Sequence, residues 1–182
     1  MQNCVALYDE FAAVVKYPDA GFQDRARQCK NLLKDEESSI RIYIDTFVER
    51  MTDRTLDELE EQYIRTFDMN PTCSMDTGWQ LFGEDYNRGL YMVKVRGEMR
   101  KFGIVETSEL PDHLTNVLQV LGRMDEDDAI SFARACVIPA VKKTLAGLSE
   151  DNSYHPLIQG LVALLESRYG VVVDEEPEGS NV

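Results

Sequence analysis

The sequence predicts an all-α fold, a single-domain helical bundle of about eight helices. Apolar residues recur at i, i+3 or i+4, and i+7 almost throughout, and no run shows the strict alternation of a half-buried strand. Helix start and stop signals punctuate this pattern: capping residues open segments, and glycine or proline closes them. No internal repeat and no Gly/Pro/Ser-rich linker divides the chain, so residues 1–170 are expected to form one domain. Residues 171–182, which include Asp174-Glu175-Glu176-Pro177-Glu178-Gly179, read as a flexible acidic tail.

The first helix places Leu7, Phe11, Val14 and Val15 on one face and stops near Tyr17-Pro18. After the turn Asp19-Ala20-Gly21, a second helix carries Phe22, Ala26, Cys29 and Leu33 at helical spacing. A third spaces Ile40, Ile44, Phe47 and Met51 in the same way. The fourth opens with Thr55 and has Glu58 three residues on, the pattern of a capping box, and its predicted inward stripe is Leu56, Leu59, Tyr63 and Phe67.

Residues 68–78 break the periodicity with Asn70-Pro71, Ser74, Asp76 and Gly78, so turns are expected. This stretch also holds Met69 and Met75, with Trp79 just beyond, and long irregular segments inside compact domains tend to be functional. A long helix follows, with Tyr86, Leu90, Val93 and Phe102 predicted inward and Gly103 at its end. The next is expected to start with Ser108 as cap and Pro111 in the first turn, where a missing amide hydrogen breaks no helical bond. It buries Leu114, Val117, Leu118 and Leu121 and ends at Gly122. Asp125 to Asp128 then supply the carboxylates that favour a helix start. Ile130, Ala133, Val137, Val141, Leu145 and Leu148 continue that stripe, with a kink or break expected at Pro139. Ser153 and Pro156 introduce the last helix, which carries Leu157, Leu161, Leu164 and Leu165.

Composition narrows the function. The 182 residues include 19 Lys+Arg and 33 Asp+Glu, a net charge of −14. So acidic a surface repels phosphate backbones and argues against nucleic-acid binding. It would speed encounter with a basic partner, although solubility alone is the plainer reading. The N-terminal residues do not read as a secretory signal, and no stretch reaches the roughly 18 apolar residues of a membrane span. Cys4, Cys29, Cys73 and Cys136 are scattered with no Cys-x-x-Cys pair, which disfavours both a disulfide framework and structural zinc. The expected compartment is the cytoplasm.

Catalytic patterns are not found. There are two histidines, His113 and His155, and no Glu-x-x-His, His-Glu-x-x-His, Gly-x-Ser-x-Gly, P-loop or Gly-x-Gly-x-x-Gly pattern. The expectation is a chain that is not an enzyme. Two clusters nevertheless stand out. Glu109-Leu110-Pro111-Asp112-His113-Leu114 gathers ionisable groups at a helix start, where Asp112 would meet exposed amides and His113 would stay neutral, able to donate and accept. Such a group could read a peptide or a polar cofactor edge, or Glu109 and Asp112 could simply satisfy helix-start amides. Gly78-Trp79-Gln80-Leu81-Phe82-Gly83-Glu84-Asp85-Tyr86 sets Trp79 and Tyr86 among glycines, either as interface anchors or as core filling.

The run Tyr63-Ile64-Arg65-Thr66-Phe67-Asp68-Met69-Asn70-Pro71, then Gly78 to Tyr86 with Arg88-Gly89, resembles the NarJ-type nitrate reductase assembly chaperones, the delta subunit family. Glu109 to Leu114 is similar to a second hallmark of that family, and the wider group includes the TorD and DmsD-like redox-enzyme maturation chaperones. The resemblance spans about residues 5–170 and implies an all-α chaperone. It implies binding of the N-terminal segment of a molybdopterin-dependent catalytic subunit, held in the cytoplasm until molybdenum cofactor is inserted. No cofactor would be bound stably, since the molybdenum cofactor is handled through the client; cofactor-biosynthesis proteins are possible further partners. The resemblance gives a client-binding role to Glu109, Pro111, Asp112 and His113, and to Tyr63, Asp68, Trp79 and Tyr86. It does not fix the client, and a generic α-helical interaction module stays open beside it.

Overall fold

The computed structural model of the chain describes residues 2–33, 36 and 38–170, with the backbone alone for 2–4. The expected tail at 171–182 lies outside the described residues. The fold is all-α: α1 Gln2–Val14, α2 Phe22–Leu32, α3 Ser38–Met51, α4 Leu56–Tyr63, α5 Thr77–Phe82, α6 Tyr86–Lys101, α7 Leu114–Leu121, α8 Glu126–Phe132, α9 Ile138–Gly147 and α10 His155–Tyr169. Among the described residues there is no strand, only an isolated bridge between Asp76 and His113. No described helix is long and apolar enough to cross a membrane.

Helix α10 is the central rod. Leu157, Ile158, Leu161, Leu164 and Leu165 are all fully buried. It packs against α3 and α9, while α1 lies on α2 and α7. A Cβ at Gly160 would come within 3.0 Å of the Ile44 side chain, so the glycine sets how closely α3 crosses α10. Phe22, Phe47, Tyr63, Phe67 and Tyr154 form a chain of edge-on and tilted rings that joins α2, α3, α4 and α10.

The capping box forms as the sequence predicts. Thr55 Oγ1 accepts from the Glu58 amide, and the Glu58 carboxylate accepts from the Thr55 amide at 2.8 Å. Leu56 does not join the buried stripe of α4; it is 37% exposed at the first helical position. The break expected at Pro139 takes the form of a π turn. Residues Ala133–Val137 widen the rod between α8 and α9, and Pro139 sits in the first turn of α9, where it needs no amide hydrogen.

Three expectations fail. Residues 77–82 form a short helix, α5, which the glycine and turn signals hid. The helix expected from Ser108 begins only at Leu114, with His113 as its cap; Pro111 lies in the turn before it. Proline disfavours helical backbone at the preceding residue, and Leu110 is not helical here, so the capping signal at Ser108 opens no helix. In α6 the buried face is Tyr91, Val95 and Met99, whereas Tyr86, Leu90 and Val93 face outward. Apolar residues occupy both faces of that helix, so spacing alone could not choose between them.

Candidate functional site

The two segments that stand out in the sequence meet in space. Helix α4 runs on through a π turn, Ile64–Asp68, and a 3-10 turn, Pro71–Cys73, follows. The chain then passes Met75 and Asp76 into α5. Loop 104–113 returns alongside it. The Thr77 amide donates to the Asp112 carbonyl at 2.8 Å, and the Leu114 amide donates to the Met75 carbonyl at 2.8 Å. Thr77 Oγ1 donates to the same Asp112 carbonyl at 2.8 Å and lies 3.0 Å from the Tyr91 hydroxyl.

Behind this clasp lies a partly buried ion-pair network. Arg88 reaches from α6, donating from Nε to Asp112 Oδ2 at 2.8 Å and from Nη2 to Asp76 Oδ2 at 2.9 Å. Asp112 is 0% exposed. It therefore does not sit among open helix-start amides; its carboxylate is held by arginine. Burial pushes the Asp112 and Asp76 carboxyls above their ordinary range, and Arg88 pulls both back. Burial works against the charged Arg88 guanidinium, but the two carboxylates outweigh it and hold the arginine protonated. Its guanidinium also sits 5.7 Å from the Trp79 ring centre.

His113 caps α7 with its side chain: Nδ1 accepts from the Thr115 amide at 3.2 Å. The neutral tautomer compatible with that bond carries its proton on Nε2, which lies 3.5 Å from the Tyr63 hydroxyl and 3.9 Å from Glu109 Oε2. Burial lowers the His113 pKa, with Glu109 and Asp112 opposing the shift. The expectation that His113 stays neutral follows from burial more than from a helix terminus.

In front of these groups opens a cavity of about 650 Å³. Tyr17, Tyr63, Phe67, Met75, Trp79 and Leu110 give it aromatic and apolar walls; Asp68, Asp76, Arg88, Glu109 and His113 supply the polar ones. Tyr17 and Tyr63 meet edge to face at 5.4 Å. Trp79 donates its Nε1 hydrogen to the Pro71 carbonyl at 3.0 Å, which fixes the ring at the rim. Tyr63 carries a hydroxyl pushed up by burial and by the carboxylates of Glu109, Asp68 and Asp76, so it stays protonated. Asp76 is paired to Arg88, but Asp68 and Glu109 have no lysine or arginine partner among the described residues. The cavity presents unneutralised negative charge on an aromatic floor.

Of the residues singled out from sequence, Tyr63, Asp68, Trp79, Glu109 and His113 line the cavity. Asp112 lies behind it, holding Arg88, and Pro111 is buried and does not line it. Tyr86 is not brought in; it is 80% exposed on the outer side of α6. Sequence reasoning passed over Tyr17, Asp76 and Arg88. Arg88 had a signal: it lies within the Gly78–Gly89 run that the sequence singles out.

Comparison with known proteins fits this arrangement. Residues 19–150 match the family model of the nitrate reductase delta subunit. The chain is 25% identical over 171 residues to the Escherichia coli K12 protein named nitrate reductase molybdenum cofactor assembly chaperone NarJ, covering 88% of this chain and 64% of that protein's length. It is 24% identical over 176 residues to the Bacillus subtilis "Probable nitrate reductase molybdenum cofactor assembly chaperone NarJ", covering 95% of this chain and 94% of that one. A crystal structure from Archaeoglobus fulgidus, titled "Putative Redox Enzyme Maturation Protein", shares the fold with a TM-score of 0.62 at 18% identity, over 89% of this chain and 93% of that one. The chain belongs to the nitrate reductase delta subunit family.

Proposed function

We propose that this chain is an assembly chaperone that binds the N-terminal segment of the apo catalytic subunit of a molybdopterin-dependent oxidoreductase, nitrate reductase or a close relative, and holds it for molybdenum cofactor insertion. The observation that carries the reading is the cavity itself, whose Asp68 and Glu109 lack cationic partners and flank the Tyr17 and Tyr63 rings. A basic peptide side chain would answer both features, with its charge at the carboxylates and its stem on the rings. The neighbouring Phe67, Met75 and Leu110 would take an apolar residue one helical turn away, as helix-in-groove recognition requires. The names of the Escherichia coli and Bacillus subtilis relatives support the client class. The site is read as a receptor and not as a catalyst, because both nitrogens of its one histidine are turned toward structural partners, the Thr115 amide and the Tyr63 hydroxyl. The molybdenum cofactor is then cargo of the client.

A tagged chain is used to capture partners from its native cytoplasm, and the retained proteins are identified by mass spectrometry. Recovery of an immature molybdopterin-type catalytic subunit is expected. Failure to recover it while the enzyme is being made, or equal retention of unrelated basic proteins, would sink the proposal and favour a generic helical module.

A further inference from the structure

Helix α6 is apolar on two opposite sides. Tyr91, Val95 and Met99 face the core, while Tyr86, Leu90 and Val93 are 80%, 45% and 65% exposed. At 3.6 residues per turn, Gly89 and Gly97 fall on the same outer stripe. A Cβ at either would meet nothing within 4 Å, and neither has a positive φ. Nothing among the described residues requires glycine there, although each weakens the helix by about 1 kcal/mol relative to alanine. Unforced glycines on an exposed apolar stripe leave room for another helix to approach closely.

The pattern is symmetric about Val93. Gly89 precedes it by four positions and Gly97 follows by four; Tyr86 and Arg100 stand seven away on either side, and Asp85 and Lys101 eight away. When two copies of α6 cross antiparallel on a two-fold axis at Val93, each residue meets the one equally far on the other side of the axis. Gly97 then lies over the partner's Gly89, Arg100 over the ring of the partner's Tyr86, and Lys101 toward the partner's Asp85. A parallel pairing would instead set Arg96, Arg100 and Lys101 against their own copies. Arg88 leaves α6 on the opposite side, toward Asp112, so the cavity mouth stays open.

We propose that a second copy of this chain docks antiparallel on the outer face of α6 and that the chain works as a two-fold dimer with one client site per copy. Sedimentation of the full chain is expected to give the mass of a dimer at high concentration. Val93→Glu sets two carboxylates face to face on the axis and should raise the dimer dissociation constant about a hundredfold, with an unchanged helical circular dichroism spectrum. Oxidising a mixture of the Gly89→Cys and Gly97→Cys chains should yield a disulfide that peptide mapping places between positions 89 and 97, and neither variant alone should give its 89–89 or 97–97 counterpart. A monomer at every concentration, a dimer untouched by Val93→Glu, or cross-links between like positions would each overturn the proposal. Capture of an acidic helix from another protein by a monomeric chain would overturn it too.

Discussion

A Cβ placed on Gly78 would stand 2.6 Å from Asp112 Oδ2, closer than any real carbon–oxygen contact. The glycine that opens the Gly78–Gly89 run is therefore cut to fit the carboxylate of the Glu109–Leu114 segment, and Tyr91 closes the same space at 3.0 Å. Gly78→Ala must push Asp112 off Arg88 or shift α5. It should cost about 2 kcal/mol in urea unfolding, as overpacking of a tight interior does, and peptide affinity should fall with it. An unchanged unfolding midpoint would mean that α5 moves freely, and the clasp would then not be rigid.

Arg88 neutralises two carboxylates at once, which makes it the most costly residue of the site to remove. Arg88→Met should destabilise the chain by about 3 kcal/mol at neutral pH, because the buried Asp112 and the half-buried Asp76 are left without a cation. Without the arginine both carboxyl pKa values rise further, so protonation on acidification favours the folded variant. The deficit relative to the unmodified chain should shrink as pH falls, and denaturant titrations at several pH values would show it.

Asp68 and Glu109 have no lysine or arginine partner among the described residues, so their removal separates binding from folding. Asp68→Asn with Glu109→Gln should leave the unfolding midpoint within about 0.5 kcal/mol. Calorimetric titration with a basic client peptide should show affinity reduced about tenfold and a weaker dependence on salt. A double variant that binds as tightly as the unmodified chain would remove the cation from the recognition scheme.

His113 gives the stability a pH dependence of defined sign. Its folded pKa lies below the ordinary histidine value of about 6.5 because the ring is buried, so the folded state resists the proton that the unfolded state accepts. The contribution is fully present above about pH 6.5 and is lost as pH falls below it. His113→Asn can still accept the Thr115 amide as a helix cap, and it should flatten the stability profile below about pH 6.5. A profile as steep as before would assign the slope to carboxyl groups.

Much of the fold was legible because helical periodicity is local. The stripes of α1, α2, α3, α7 and α10 were read from spacing, and the Thr55–Glu58 box from two residues three apart. Reading failed where the deciding partner lies elsewhere in the chain. The burial of Asp112 depends on Arg88, 24 positions away, and no local signal distinguishes it from an exposed capping carboxylate. The direction of α6 depends on which of its two apolar faces α5 and α7 cover. Of the site, the clusters around Asp68, Trp79 and Glu109–His113 were found by composition. Tyr86 was assigned to it because it shares a run with Trp79, but α6 turns its ring away from the cavity.

The two backbone bonds that join Thr77 to Asp112 and Leu114 to Met75 bear on folding order. They close an excursion of 35 residues that contains all of α6, so their loop-closure entropy must be met before they form. The cavity walls are carried by segments that no local contact brings together, and the cavity exists only once that excursion has docked. On the proposed function, competence to hold a client is then expected to come late in the chain's own folding. The amides of Thr77 and Leu114 should be protected from hydrogen exchange up to the opening of that whole subglobal unit.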